Sequence, residues 1–241
     1  MCAVAWPYAD FEATPVQAVI LAGGLSRRLN GVPKAGLMVD GKTLLARTVE
    51  AAAQAIAVHD GALPATRPGG AQGEAGTGPG IAVVGPVESI ATWLGTATLR
   101  GLVVAVQEDP PFAGPAAGIA AGLAALPRSD GRVLILACDM PAAAAAAQLL
   151  LESDSNEPKT AVLAVDNGRV QPLAGIYPVP ELLAAVHAAR ASQRLANASV
   201  RSLIASVDIK ECAVPAGTTA DIDTWDDARS HGIAVQGGGQ K

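Results

Sequence analysis

Short apolar runs alternate with segments of helical periodicity along most of the chain. The runs are rich in Val, Ile, Leu and Ala and are bounded by turn residues, which is typical of buried strands. They cover residues 16–21, 81–84, 102–106, 133–137, 161–165 and 207–214. Helical patterns cover residues 44–57, 88–98, 141–151, 180–190 and 200–205, and a further helix opens at Pro115. This alternation predicts an α/β protein with a mostly parallel sheet and helices on both faces.

Three segments lie outside this pattern. Residues 1–15 lack the basic start and apolar core of a signal peptide and are expected to be a flexible N-terminal extension. Residues 59–80 are rich in Gly, Pro, Ala and Thr without an apolar period, which predicts a disordered insertion in a surface loop. Residues 233–241 are expected to be a flexible tail. The rest, 16–232, has the length of one domain.

Composition and charge narrow the class of protein. Half of the 241 residues are apolar and only 3% are aromatic, so the core must be aliphatic. The net charge of −5 argues against general nucleic-acid binding. The three cysteines, Cys2, Cys138 and Cys212, are isolated, which fits a reducing compartment, and no segment has the length of a membrane span. We therefore expect a cytoplasmic protein without membrane or nucleic-acid partners.

Glycines and cations follow directly after the first predicted strand. Gly23-Gly24 lets the backbone turn and lie bare against a ligand. A hydroxyl and three cations come next, at Ser26, Arg27, Arg28 and Lys34. Free backbone amides with nearby cations suit a polyphosphate, although a glycine turn before a solvated basic loop is the alternative. The spacing fits neither the GxxxxGK[ST] phosphate loop nor the GxGxxG dinucleotide pattern.

Two later stretches carry further candidate chemistry. Asp139 follows the most hydrophobic predicted strand, where doubly wound sheets bind ligands, and its oxygens suit Mg²⁺. The alternative is that Asp139 caps the next helix. Gly118 and Gly122 lie four residues apart after Gly114-Pro115, giving one flat helix face. Such a face either lets a nucleotide approach the helix closely or packs tightly on the sheet.

Five ordered stretches resemble motifs of the MobA-like nucleotidyltransferases, which include the molybdenum cofactor guanylyltransferases. The first resembles LAGGxSxRMGxxKA, with matches at Leu21, Ala22, Gly23, Gly24, Ser26, Arg28, Gly31, Lys34 and Ala35. Leu29 replaces Met and Asn30 replaces Gly there, and Asn tolerates positive φ well. The other four are similar to GPLAGI from Gly114, CDMP from Cys138, QPLxGLY from Gln171 and NINTPEDL from Asp221. In the last, Asp221 and Asp223 replace two asparagines.

The resemblance implies a three-layer α/β/α, Rossmann-like nucleotidyltransferase fold that transfers GMP from GTP to the phosphate of molybdopterin. It implies Mg²⁺ held by Asp139 and Asp223. The implied catalytic residues are Lys34, Arg28 and Asp139. The implied nucleotide-binding residues are Leu21, Ala22, Gly23, Gly24, Ser26, Arg27, Lys34, Asp109 and Gly114. Asp109 is the expected contact to the base, with Glu108 in reserve, and Gln171 and Pro172 are expected on the acceptor side. Near Gly85, an amide contact that some members offer to the nucleotide is expected to be absent or moved.

Two other functions remain open on sequence grounds. One is a sister nucleotidyltransferase that uses CTP or another phosphorylated acceptor. The other is a non-catalytic nucleotide-binding protein of this fold, against which Lys34 and Asp139 argue. The resemblance also leaves room for transient contact with proteins that make or receive the cofactor.

Overall fold

The computed structural model describes residues 15–24, 26–60 and 80–233. Nine strands lie in these residues: β1 (Val16–Leu21), β2 (Met38–Val39), β3 (Lys42–Thr43), β4 (Ile81–Val84), β5 (Val103–Val106), β6 (Arg132–Ala137), β7 (Thr160–Asp166), β8 (Arg169–Pro178) and β9 (Asp208–Ala213). Seven of them form one sheet in the order β5-β4-β1-β6-β8-β7-β9, while β2 and β3 form a small ribbon. Residues 1–14 of the expected extension, 61–79 of the expected insertion and 234–241 of the expected tail lie outside the described residues, so the proposed domain boundaries stay predictions.

The sheet is mostly parallel, as the alternation predicts. Strand β1 pairs in parallel with β4 and β6, β4 with β5, and β7 with β9. Strand β8 runs antiparallel to both β6 and β7. Its direction follows from the turn before it, because Asn167 and Gly168 both have positive φ (49° and 73°), the signature of a tight hairpin.

Helices cover both faces of the sheet. They are α1 (Leu44–His59), α2 (Val87–Leu94), α3 (Ala97–Gly101), α4 (Pro115–Ala125), α5 (Ala143–Ser153), α6 (Val179–Ala191), α7 (Val200–Leu203) and α8 (Trp225–Ser230). Residues of α1, α2, α3 and α5 share one buried cluster with one face of the sheet, and residues of α4, α6 and α7 share another with the opposite face. The three-layer α/β/α fold is thereby confirmed. Of the described helices, none combines the length and apolarity that crossing a membrane requires.

The alternation along β1 supplies both clusters. Ala18 and Ile20 point into the first cluster and Val19 into the second, and all three side chains are fully buried. Because helices cover both faces of this strand, neither face is in contact with water, which explains the continuous apolar run in the sequence.

Two expected helices have different limits in the structure. The single helix expected over 88–98 is two helices, because Gly95 adopts φ +71° and ends α2. Thr96 then caps α3 by accepting a hydrogen bond from the Leu99 amide. Helix α5 begins at Ala143, later than expected, and its N-cap Ala142 offers no side-chain hydrogen bond.

The flat glycine face of α4 packs tightly on the sheet. A Cβ at Gly122 would lie 2.6 Å from Val19 Cγ1 and 3.1 Å from Val84 Cγ2. One at Gly118 would lie 3.1 Å from Leu21 Cδ2. Tight helix–sheet packing therefore accounts for Gly122, while Gly118 also lines the cavity described next.

Candidate active site

A cavity of about 800 Å³ opens at the carboxyl ends of β1, β4 and β6. Most of the residues singled out in the sequence line it: Leu21, Ala22, Gly23, Gly24, Ser26, Arg27, Arg28, Lys34, Gly114, Asp139, Gln171 and Asp223. Open α/β sheets bind ligands at this edge, where the parallel strands end. Two of the predicted residues, Asp109 and Pro172, are not part of its lining.

The glycine loop leaves β1 in close contact with the end of β4. The Ala22 amide donates to the Val84 carbonyl over 2.8 Å. A Cβ at Gly85 would lie 3.1 Å from the Ala22 carbonyl carbon and 3.2 Å from the Gly23 amide nitrogen. Only glycine at position 85 lets the two backbones approach this closely without displacement. The role of Gly85 here is therefore to leave room for the glycine loop.

The basic loop is a folded structure and not a solvated arm. The Ser26 carbonyl accepts hydrogen bonds from the amides of Leu29 and Gly31, and the Ser26 hydroxyl accepts from the Lys34 amide over 3.4 Å. Asn30 adopts φ +53°, the conformation for which the family pattern has glycine. These contacts fix the backbone from Ser26 to Lys34.

A small separate core holds the basic loop against the C-terminal part of the chain. Its buried members are Leu29, Leu37, Val39, Leu44, Ile222, Ala228 and Ile233. Leu29 fills the place of the family's Met with no exposed surface, and Ile222 meets it from the stretch that carries Asp221 and Asp223. The same stretch is tied to β6, because the Ile222 amide donates to the Asp139 carbonyl over 3.0 Å.

Lys34 lies at the centre of the charged groups. Its Nζ is 2.9 Å from Asp139 Oδ2 and 2.5 Å from Asp223 Oδ1. Arg28 NH1 contacts the other carboxylate oxygen of Asp223 at 2.9 Å, although the Arg28 side chain is mostly exposed. Burial alone would lower the pKa of Lys34, but the charges and hydrogen bonds of Asp139 and Asp223 outweigh it and raise that pKa above its ordinary value. Lys34 is therefore a permanent cation at physiological pH.

A third carboxylate, Asp221, joins Asp139 and Asp223. One oxygen from each of the three lies within 4.8 Å of the others. Burial, followed by the negative charges of Asp139 and Asp223, raises the pKa of Asp221. Such a cluster of hard oxygen donors with excess negative charge can hold a divalent cation.

The helix-cap alternative for Asp139 does not hold in the structure, because Ala142 occupies the N-cap of α5. Farther along the chain, another helix does have a side-chain cap. Thr224 caps α8 in a reciprocal capping box with Asp227, and hydrogen bonds from the Thr224 hydroxyl and amide lower the pKa of Asp227.

Asp166 anchors the loop that leads to the acidic cluster, a role that no sequence motif indicates. Its buried carboxylate accepts hydrogen bonds from the Gly217 amide at 3.0 Å, the Thr219 amide at 2.8 Å and the Thr219 hydroxyl at 2.9 Å. The Thr219 amide contributes most to lowering the pKa of Asp166, and burial opposes it. Thr219 itself lines the cavity.

The adjacent acids Glu108 and Asp109 lie in different surroundings. Glu108 is buried, lines the cavity and accepts a hydrogen bond from the Phe112 amide at 3.0 Å. Asp109 is exposed and lies outside the cavity lining. The structure thus brings the reserve candidate, Glu108, and not the first choice, Asp109, to the cavity wall. Which of the two contacts the base stays a prediction.

The two residues expected on the acceptor side, Gln171 and Pro172, also differ in their surroundings. Gln171 lines the cavity from β8, in register with Ala164 of β7, so it is a strand residue. Pro172 does not line the cavity. Its carbonyl accepts a hydrogen bond from the buried Tyr177 hydroxyl at 2.6 Å, which gives Pro172 a structural contact instead.

Four further lining residues were missed as candidates: Trp93, Phe112, Thr219 and Asp221. Asp221 carried a signal, since it stands in a family motif position. Trp93 and Phe112 could have been noticed as rare aromatic residues in an aromatic-poor chain.

Comparison with known sequences gives a family match over most of the chain. Residues 18–210 match the MobA-like NTP transferase domain. The chain is 29% identical over 215 residues to a protein of Opitutus terrae named "Probable molybdenum cofactor guanylyltransferase", covering 89% of this chain and 92% of that protein. It is 30% identical over 186 residues to a molybdenum cofactor guanylyltransferase of Rhizobium meliloti, covering 75% of this chain and 72% of the relative.

Solved structures agree with the fold. The 4-diphosphocytidyl-2C-methyl-D-erythritol synthase of Anaerococcus prevotii superposes with a TM-score of 0.60 at 16% identity, covering 91% of this chain and 95% of that one. At this identity the likeness concerns the fold alone. Because that relative is named for a cytidyl product and the curated relatives for guanylyl transfer, the fold does not decide the nucleotide.

Proposed function

Because this chain belongs to the family of MobA-like NTP transferases, we propose that it transfers GMP from GTP to the phosphate of molybdopterin and releases pyrophosphate. One observation carries the catalytic part of this proposal. The Lys34 ammonium lies within hydrogen-bond distance of Asp139 and Asp223 in the cavity that the glycine loop lines. The names of the Opitutus and Rhizobium relatives support the choice of GTP and molybdopterin.

The reaction is a displacement at phosphorus. An oxygen of the acceptor phosphate attacks the α-phosphorus of GTP and forms a new P–O bond. The P–O bond between the α-phosphorus and the bridging oxygen breaks, and pyrophosphate leaves with the electron pair. The acceptor phosphate is ionised near pH 7, so the protein needs no side-chain nucleophile and no strong general base.

The protein's part is to hold the groups in line and to stabilise negative charge. The amides of Gly23 and Gly24 and the Arg27 side chain bind the triphosphate. Lys34 and Arg28 stabilise the charge that develops on the α-phosphate oxygens and on the leaving group. A lysine ammonium is charged near pH 7, so Lys34 acts in this step as a cation.

Asp139, Asp221 and Asp223 are the residues that would hold Mg²⁺. Their chemistry fits, because carboxylate oxygens are the ligands that Mg²⁺ prefers and the three are mutually within 4.8 Å. When bound, the ion supplies positive charge to the triphosphate. Asp221 extends the pair expected from the sequence to three donors.

Glu108 is our proposed contact to the guanine edge. One of its carboxylate oxygens accepts a hydrogen bond from the Phe112 amide, and the residue lines the cavity. Guanine presents an N1–H and a 2-amino group side by side, and a carboxylate accepts from both. Hydrogen bonds to a charged group contribute about 1.5–3 kcal/mol each, so adenine and cytosine, which lack this donor edge, should bind less well.

On the acceptor side we propose Gln171, which offers both a donor and an acceptor to the cavity. We further propose that the protein works in the cytoplasm, since Cys138 and Cys212 are free buried thiols. Contact with proteins that make or receive the product belongs to the same proposal.

The test is pyrophosphate release from GTP, CTP and ATP, each with and without molybdopterin, at fixed Mg²⁺. We expect release from GTP only, and only with molybdopterin present. Preference for CTP would replace the guanylyl assignment with a cytidylyl one. Binding without release from any of the three would favour a non-catalytic nucleotide-binding protein. Glu108→Gln should narrow the preference for GTP over CTP, while Asp109→Asn serves as the matched control and should not.

A further inference from the structure

The loop between β5 and α4 holds one exposed aromatic side chain at the wall of the cavity. Phe112 lines the cavity and is 45% exposed. The other large apolar side chains that are exposed in the described residues are Val32, Met38, Val58, Val87, Leu102 and Ile209. None of these lines the cavity. Exposure of Phe112 is therefore tied to the site and is not a general feature of this surface.

The backbone around Phe112 is fixed on both sides. Its amide donates to Glu108 Oε1 over 3.0 Å, and the carbonyl of the next residue, Ala113, accepts from the Asn197 amide over 2.6 Å. Ala113 itself is buried. Because this backbone is already fixed, the loop loses little backbone conformational entropy when a ligand packs against Phe112.

Phe112 also adopts φ +61°, which is unfavourable for a bulky residue. Glycine or asparagine would be accommodated more easily at this backbone position. An aromatic side chain that is held in this conformation and left exposed does not contribute to the core, so stability does not explain its presence.

We propose that Phe112 stacks on the face of the nucleobase whose edge Glu108 contacts, an inference that rests on the proposed function for its ligand. The two residues are joined by a hydrogen bond, and they address different parts of one planar ring. A carboxylate accepts hydrogen bonds from donors in the plane of the base. An aromatic ring instead contacts the face of the base, which every base offers. Glu108 thus determines which base binds, and Phe112 determines how tightly a base binds.

The experiment measures the equilibrium binding of GTP and of inosine triphosphate by calorimetry, with Mg²⁺ and without acceptor. CTP is titrated in parallel, and the KM of the acceptor is measured in steady-state turnover. Inosine triphosphate lacks the 2-amino group but keeps the ring face. We expect Phe112→Ala to weaken both nucleotides by a similar factor, about 5- to 150-fold from typical stacking contributions. Phe112→Tyr should restore binding to near the wild-type value. Glu108→Gln should instead weaken GTP more than inosine triphosphate.

Ile209→Ala is the matched control, because Ile209 is exposed to the same degree, 46%, on the far edge strand β9. It should leave both affinities unchanged. Melting temperatures of all variants establish that they are folded, and Phe112→Gly should melt no lower than Phe112→Ala, because glycine accommodates positive φ.

Unchanged nucleotide affinity in folded Phe112→Ala would overturn the stacking assignment. So would a defect confined to the KM of the acceptor, which would place the acceptor's ring against Phe112 instead. If the wild type binds CTP in place of GTP and Phe112→Ala weakens CTP, the guanylyl proposal fails while the stacking inference is supported. The two failures are therefore distinguishable.

Discussion

At the scale of single residues, Asp139 illustrates how a carboxylate after a strand is assigned a role. The sequence left two roles open, ligand binding and helix capping, because both place an Asp just after a strand. The structure shows Ala142 at the helix N-cap and Lys34 against the Asp139 carboxylate, so Asp139 faces the cavity. The charge of this side chain is then what matters for function.

We expect Asp139→Asn to lower the rate of metal-dependent turnover by on the order of 10²-fold or more, while the fold stays intact. The amide keeps the shape of the side chain but removes the negative charge that attracts a cation. Pyrophosphate release as a function of Mg²⁺ concentration, together with circular dichroism, measures this. Asp226→Asn is the control, since Asp226 is an exposed residue of α8 paired with Arg229. Wild-type activity in Asp139→Asn would place the metal site elsewhere.

The sequence could not predict which member of two adjacent residue pairs lines the cavity. Glu108 and Asp109 are both acids, and Gln171 and Pro172 are both family positions, so no sequence pattern separates the members of either pair. The direction of each side chain depends on the local backbone path, which turns Glu108 inward after β5 and leaves Asp109 exposed. Lys34 and the glycine loop were predictable because their function depends on spacing along a single stretch.

At the scale of elements, the apolar runs identified six of the seven strands of the main sheet. Strand β8 was missed as a strand because Pro172 and Gly175 interrupt its apolar pattern. Gly175 is nonetheless required there, since a Cβ would lie 2.4 Å from Leu163 Cδ2 on the neighbouring strand. Close packing between strands is a tertiary feature that a local pattern does not contain.

The loop before the acidic cluster depends on one carboxylate, and its stability should depend on pH. The pKa of Asp166 is lowered in the folded state, so its contribution to stability is present above the unfolded value, about 3.9. That contribution is lost as the pH falls through the lower, folded value. We expect Asp166→Asn to destabilise the protein by about 1–3 kcal/mol at pH 7, because the substitution leaves buried donors poorly paired.

Urea unfolding at pH 7 and at successively lower pH measures both effects. The gap in the free energy of unfolding between wild type and Asp166→Asn should shrink in acid. The variant should also need more Mg²⁺ for half-maximal activity, since the loop carries Asp221 and Asp223. A gap that stays constant with pH would show that the charge of Asp166 contributes nothing.

The packing of α4 on β1 gives a second prediction at this scale. Gly122→Ala places a methyl group 2.6 Å from Val19 Cγ1, so we expect a loss of about 1–3 kcal/mol from overpacking. Removing the obstructing methyl groups in the double variant Gly122→Ala/Val19→Ala should recover part of this loss in chemical denaturation. Gly101→Ala is the control: a Cβ there meets nothing within 4 Å, and alanine favours helix. Equal effects of Gly122→Ala and Gly101→Ala would contradict the close approach.

At the scale of the whole molecule, the site is built from distant parts of the chain. The glycine loop, Asp139 at the end of β6 and the stretch around Asp223 converge because β1 and β6 are neighbours and because Ile222 packs with Leu29. Topology brought the first two together as the sequence predicted. The third required the small core around Leu29, whose members are scattered from residue 29 to residue 233 and form no sequence pattern.

The sequence of the segment between α1 and β4 predicts little packing. Residues 61–79 are rich in Gly, Ala and Pro and offer no apolar face to bury, and they join two elements that belong to the same cluster of the core. The free energy of closing a loop changes slowly with its length, by roughly 0.6 kcal/mol for each doubling. We therefore expect that replacing 61–79 with a short Gly/Ser linker changes the melting temperature by no more than a few degrees and leaves pyrophosphate release intact. Replacing 61–79 with an unrelated Gly/Ser segment of equal length separates the effect of length from the effect of composition. If both replacement variants melt at a much lower temperature than the wild type, the native segment makes stabilising contacts. If only the variant with the short linker does, that linker is too short to span from α1 to β4.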